Sequence, residues 1–137
     1  MGLDNGMLLH SKKQIDVPRE LNVAVEHRPG AEYEWVYDIL YFRKCWNIRR
    51  EAREILGASP EYVEKSWLDV TEVKNFWWAL NNMNSRKAWD RNNESIWTFD
   101  EIHDHLDNSL LALEWLIDFM IKHPADSSYM VEFYDSY

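Results

Sequence analysis

Between Arg43 and Arg53 the chain carries five bases (Arg43, Lys44, Arg49, Arg50 and Arg53) against one acid, Glu51, a local charge of +4 in a protein of net charge −9. Flat rings, Phe42 and Trp46, stand at the start of this stretch. A guanidinium holds two phosphate oxygens at once through its planar fork, and an aromatic face stacks on a base. The combination suits a small, flat, anionic ligand. Trp46 or Phe42 would lie on the base, and Arg43, Arg50 and Arg53 would hold phosphates. The plainer alternative is a central helix packed on both sides, its arginines paired with acids elsewhere. Lys44 falls beside Cys45 on the predicted core stripe, where a lysine needs a partner, a ligand or a route for its ammonium to water.

A second constellation is acidic. Residues 94–137 hold ten acids and one base, Lys122, whereas residues 1–93 hold fourteen of each, so the whole net charge sits in the last third. Asp100, Asp104, Asp107, Glu114 and Asp118 fall on one helical stripe about 27 Å long at 1.5 Å per residue. The stripe reads as a solvated face, or as a row of carboxylates that imitates nucleic-acid phosphates in a basic groove of another protein. Like charges on one helix face cost stability. General nucleic-acid binding is not expected, because the net charge repels a polyanion. Glu101, His103, Asp104, His105 and Asp107 offer the i,i+4 ligand pairs His103/Asp107 and Glu101/His105, but the two pairs point in different directions and no third ligand joins either. No metal or cofactor is expected. Nucleotide-loop, hydrolase and zinc-protease motifs are absent, which favours binding over catalysis, with a nucleotide-acting enzyme as a further alternative. Cys45, on the core stripe, reads as a small buried hydrophobe rather than a nucleophile.

The elements that must position these residues follow from periodicity. Tyr37, Tyr41, Cys45, Ile48, Ala52 and Ile55 recur at helical spacing, which predicts one long helix from about Glu34 to Leu56, closed by Gly57. On it Trp35, Ile39, Phe42 and Trp46, then Arg49, Arg50 and Arg53, form the side opposite the core. Ser59-Pro60 predicts a short helix to about Lys65. Asp69 with Glu72, and Thr98 with Glu101, are capping boxes. The first opens a helix carrying Val70, Val73, Phe76, Trp77, Leu80 and Met83. The second opens the last helix, which runs from Phe99 to a stop at His123-Pro124. Asn84–Asn93 reads as loop with a turn of helix near Ala88. Asp4-Asn5-Gly6 reads as a turn, Met7–His10 and Gln14–Val17 as short strands, and Leu21–Val25 as either helix or strand. Tyr129–Tyr134 alternates as a strand and should pair with the N-terminal one.

The expected fold is α+β and mainly helical: one domain over residues 1–137, with three to four helices on a small antiparallel sheet formed by the N- and C-terminal segments. Length fits one domain. A single cysteine excludes an internal disulfide. No stretch approaches the roughly 20 apolar residues of a membrane span, and the first residues lack a secretory pattern, so a cytoplasmic protein is expected. Eight tryptophans are many for one small core and provide for a homodimer through Trp-rich faces.

Three segments carry a family resemblance: Gly2-Leu3-Asp4-Asn5-Gly6, Tyr41-Phe42-Arg43-Lys44-Cys45-Trp46-Asn47-Ile48-Arg49 and Phe133-Tyr134-Asp135-Ser136-Tyr137. They resemble a group of short proteins encoded by phages and prophages. The resemblance implies an accessory protein acting in the bacterial host cytoplasm, against a host defence system. Its recurring residues, read as a site, are Asp4, Asn5, Arg43, Lys44, Trp46, Asp135 and Tyr137. The expected partner is a small anionic ligand or, alternatively, a host protein.

Overall fold

Met7, Leu9, Val131 and Phe133 are apolar residues on alternating positions, and two strands that share such a pattern bury one face together. In the computed structural model, which describes residues 3–57, 65–124 and 128–136, they lie at the centre of a five-stranded antiparallel sheet. The strands are β1 (Asp4–Ser11), β2 (Ala24–His27), β3 (Trp35–Arg43), β4 (Lys65–Leu68) and β5 (Tyr129–Ser136), in the order β2-β3-β1-β5-β4. β1 pairs with β3 from Asp4↔Arg43 to Ser11↔Trp35, and with β5 from Asp4↔Ser136 to Ser11↔Tyr129. The expected pairing of the two terminal segments is therefore present, in a larger sheet than the sequence pattern suggests.

Four α-helices complete the described residues: α1 (Trp46–Leu56), α2 (Val70–Met83), α3 (Arg86–Asn92) and α4 (Phe99–Lys122). Both predicted capping boxes form. Asp69 accepts from the Glu72 amide at 2.8 Å, and Thr98 from the Glu101 amide at 3.3 Å. Helices α2 and α4 cover the inner face of the sheet, where Phe76 stacks on Phe133 with centroids 5.3 Å apart. Leu80, Leu106, Leu113 and Leu116 fill the layer between them.

The long helix predicted over Glu34–Leu56 is the main correction. Its first half is β3 and only its second half is α1. Val36, Tyr37, Ile39, Tyr41 and Phe42 are β-branched or aromatic, types that pack well on a pleated surface, and the β1 edge supplies the pairing. The four-residue spacing of Tyr37, Tyr41 and Cys45 fits a helical stripe, but in β3 Tyr37 is buried and Tyr41 exposed. Asp4-Asn5-Gly6 is strand rather than turn, and Gln14–Val17 is loop. In that loop Ile15 donates its amide to the Tyr37 hydroxyl at 2.6 Å. Leu21–Val25 divides between a turn of 3-10 helix, Arg19–Leu21, and the start of β2. The polar stretch Asn84–Asn93 is mostly α3, capped by Ser85. The short helix predicted from Ser59-Pro60 lies outside the described residues, and its expected end, Lys65, opens β4.

One irregularity in β3 matters for the site. Met7 faces Leu40 but Leu8 faces Asp38, so Ile39 is an extra residue with no partner in β1. Such a bulge reverses the alternation beyond it. Tyr37 points inward, and so do Leu40 and Phe42; all three are buried. Asp38 points outward, and so do Tyr41 and Arg43. Without Ile39 as a bulge, Asp38 would fall on the opposite side from the other two.

Candidate functional site

β2 pairs with β3 only over Trp35–Asp38, which leaves Ile39–Arg43 without a strand on that side. Unpaired edge carbonyls need donors from elsewhere. The first turns of α4 run along this gap, and His105 fills part of it. Its Nε2 lies 2.6 Å from the Tyr41 carbonyl oxygen. A carbonyl only accepts, so Nε2 donates and carries the hydrogen. The edge of Phe42 meets the same imidazole, centroids 5.0 Å apart at 71°. His105 is thus held from two sides, between two clefts.

The first cleft, about 190 Å³, is lined by Tyr41, Phe42, Arg43, Trp97, Glu101, Ile102 and His105. Trp97 is fixed by its indole N–H, which donates to the Arg43 carbonyl at 2.7 Å. Arg43 itself is exposed. The floor is aromatic, and the rim carries one cation, Arg43, and one acid, Glu101. The second cleft, about 180 Å³, shares Tyr41 and His105 and adds Asp38, Asn108 and Ser109 between apolar walls that include Ile39, Val23 and Ala112. Asp38 is the unusual member. Its Oδ1 is buried without a hydrogen-bond partner. Burial pushes the carboxyl above its ordinary range, and His105 opposes the shift only in part.

The three segments of the family resemblance converge by register. Asp4 faces Arg43 on one side and Ser136 on the other, Asn5 lies between Phe42 and Asp135, and Gly6 lies between Tyr41 and Tyr134. The Tyr134 ring lies over Gly6, where an added Cβ would stand 2.8 Å from the hydroxyl and clash with the Leu40 carbonyl. Burial, then the nearby Asp38, Tyr41 and Asp4, push the Tyr134 phenol up to about 12. Tyr41 donates its hydroxyl to Asp4 at 3.0 Å.

The predicted cationic face divides. Arg43 stands in the first cleft. Lys44, next to it, is half-buried in a left-handed backbone conformation (φ 55°), an uncommon state for a lysine, and its amide donates to the Leu3 carbonyl at 2.5 Å. Trp46 begins α1 and is half-buried. Phe42 is buried in the core and has no free ring face; Trp97, half-buried, is the more open ring of the cleft. Arg49 is buried against Asp135, Nε to Oδ2 at 2.5 Å. Arg50 is ion-paired with Glu94. Arg53 keeps a buried Nε with no partner. Asn5 is fully buried and donates to the Cys45 carbonyl at 3.4 Å. Asn5, Asp135 and Arg49 are therefore a buried foundation below the cleft rather than part of an open face. Tyr137 lies outside the described residues.

The residues that sequence spacing missed are Asp38, Trp97, Asn108 and Ser109, while His105 was considered only as a metal ligand. One signal was present: Asp38 is the single charge within the apolar run Trp35–Phe42. An acid in such a run needs a partner or a task.

Asp100, Asp104, Asp107, Glu114 and Asp118 are all exposed on α4. Arg86 binds Asp100 at 2.5 Å, Asn84 donates to Asp107 at 2.7 Å, and Lys122 reaches Asp118 at 2.9 Å. His103 lies 3.3 Å from Asp104 and 3.5 Å from Asp107, a surface trio whose ligand atoms gather within 4.8 Å. Exposed acidic groups of this kind are ordinary on a helix surface. Cys45 is fully buried, and its thiol is pushed up to about 12 by burial, so it is a packing residue. Among the described residues no helix is long and apolar enough to cross a membrane. Of the tryptophans, Trp67 and Trp78 are exposed while Trp89 is fully buried and the other five are half-buried, so most of the surplus serves packing.

Compared with family models, curated proteins and solved structures, the chain finds no match. The site stands on its geometry.

Proposed function

We propose that this protein is a non-catalytic binder of a small, anionic, nucleotide-like ligand, and that it acts as a phage-type accessory protein sequestering a host defence signal in the bacterial cytoplasm. One observation carries the binding reading. The β3 bulge sets Arg43 outward beside Trp97 and His105, in a cleft along the uncovered strand edge. Trp97 and Tyr41 offer ring surface, and Arg43 offers a fork for phosphate oxygens. Each cleft alone is smaller than the roughly 300 Å³ at which sites for drug-sized ligands begin. The two share Tyr41 and His105, so an elongated ligand would use both. The acidic stripe supports an inhibitor of a nucleic-acid-binding host protein less well, because four of its five acids already engage neighbouring side chains.

Thermal unfolding of the full chain is measured against a panel of linear and cyclic nucleotides. At least one member should raise the midpoint. Arg43→Ala should weaken its binding tenfold or more, since bonds to a charged phosphate are worth about 1.5–3 kcal/mol. Trp97→Phe should retain most of it. A panel that produces no shift, with an intact circular-dichroism spectrum, rejects the reading.

A further inference from the structure

The second cleft has a chemistry of its own. Asp38 lines this cleft with Tyr41 and His105, and nothing among the described residues neutralises it by direct contact. Arg28 lines an adjoining cleft with Asp38, but gives its guanidinium to Glu26 at 2.8 Å. The Ser109 hydroxyl donates to the His105 carbonyl at 2.7 Å and is not a donor toward the cleft. A carboxylate left half-buried and unmatched in a slot with apolar walls is costly to the free protein. A ligand bringing two parallel N–H donors would remove that cost, because a carboxylate accepts two bonds side by side.

We propose that the cleft behind His105 is a base subsite selective for guanine, with Asp38 accepting from the N1–H and the exocyclic N2–H of the base edge. The proposal rests on the nucleotide reading above and deepens it. Adenine and cytosine each present one donor next to a ring-nitrogen lone pair, which would face a carboxylate oxygen and be repelled. Hypoxanthine keeps N1–H and lacks the amino group. Ile39, Val23 and Ala112 form walls against which a flat ring packs. Arg43, on the far side of His105, stands at the phosphate end.

The test is calorimetric titration of the full chain with GMP, IMP and AMP, and with free arginine as a guanidinium without base or phosphate. The expected order is GMP tightest, IMP weaker by tenfold or more, and AMP weaker still, with arginine not competing. Asp38→Asn should weaken GMP and tighten AMP, because the amide presents one acceptor and one donor, the pattern that complements the adenine N6–H and N1 edge. Equal affinity for the three nucleotides overturns the guanine assignment and leaves the nucleotide reading in place. Preference for GMP that persists in Asp38→Asn also overturns it. Competition by arginine would show that the cleft takes any guanidinium, against the base assignment. Absence of binding by all three, with Arg43→Ala no different from the unaltered chain, defeats the nucleotide reading itself.

Discussion

Asp38 carries a conflict that ordinary surface acids avoid. Its carboxyl titrates above the unfolded value because burial disfavours the charge. For an acid shifted upward, the sign of linkage is fixed. The folded state holds the proton more tightly, so the penalty is present at pH above the raised value and vanishes as pH falls below the unfolded one. Asp38→Asn should therefore raise the unfolding midpoint at pH 7 and change it little near pH 3. A lowered midpoint at pH 7 would show that the carboxylate has a partner in the folded protein. The Arg49–Asp135 pair tests the foundation in the same way. Both side chains are sealed from water, and removing one partner strands the other's charge. Arg49→Met should cost about 3–5 kcal/mol in denaturant unfolding. The double change Arg49→Met with Asp135→Leu should recover much of that loss; equal losses in single and double variants would mean that the pair is not the source.

Pairing geometry decides what the elements present. Gly6 has no side chain to hold the Tyr134 ring away, and the Leu40 carbonyl passes close by. Gly6→Ala should destabilise the sheet by about 1–3 kcal/mol through overpacking, with the loss visible in urea midpoints; a neutral result would place the Tyr134 ring elsewhere in solution. Helices α2 and α4 and strand β5 were legible because each follows one period with clear stop signals. β3 was not, for a physical reason. Tyr37, Tyr41 and Cys45 fit a helical stripe, and only the neighbouring β1 edge, distant in sequence, tips the choice toward strand. The bulge at Ile39 is invisible to any single period, and with it went the meeting of Asp38, Tyr41 and Arg43. Arg43 was nevertheless legible as a candidate from its chemistry, since a cation among aromatic residues is a local property. Its neighbours Trp97 and His105 come from another part of the chain, and only tertiary packing brings them there.

At the scale of the whole molecule, opposite ends of the sequence share the middle of the sheet. β1 has β3 on one side and β5 on the other, and β5 in turn is the only partner of β4 in the described sheet. Because long-range pairing is slow and costly in loop closure, this order constrains how the protein is made. While the ribosome is still translating α4, the growing chain holds β1 with one flank bare and β4 with no strand beside it. Cooperative folding must wait for β5 to emerge, so nascent chains arrested before Tyr129 should be protease-sensitive even though every cleft residue from Val23 to Ala112 has already been synthesised.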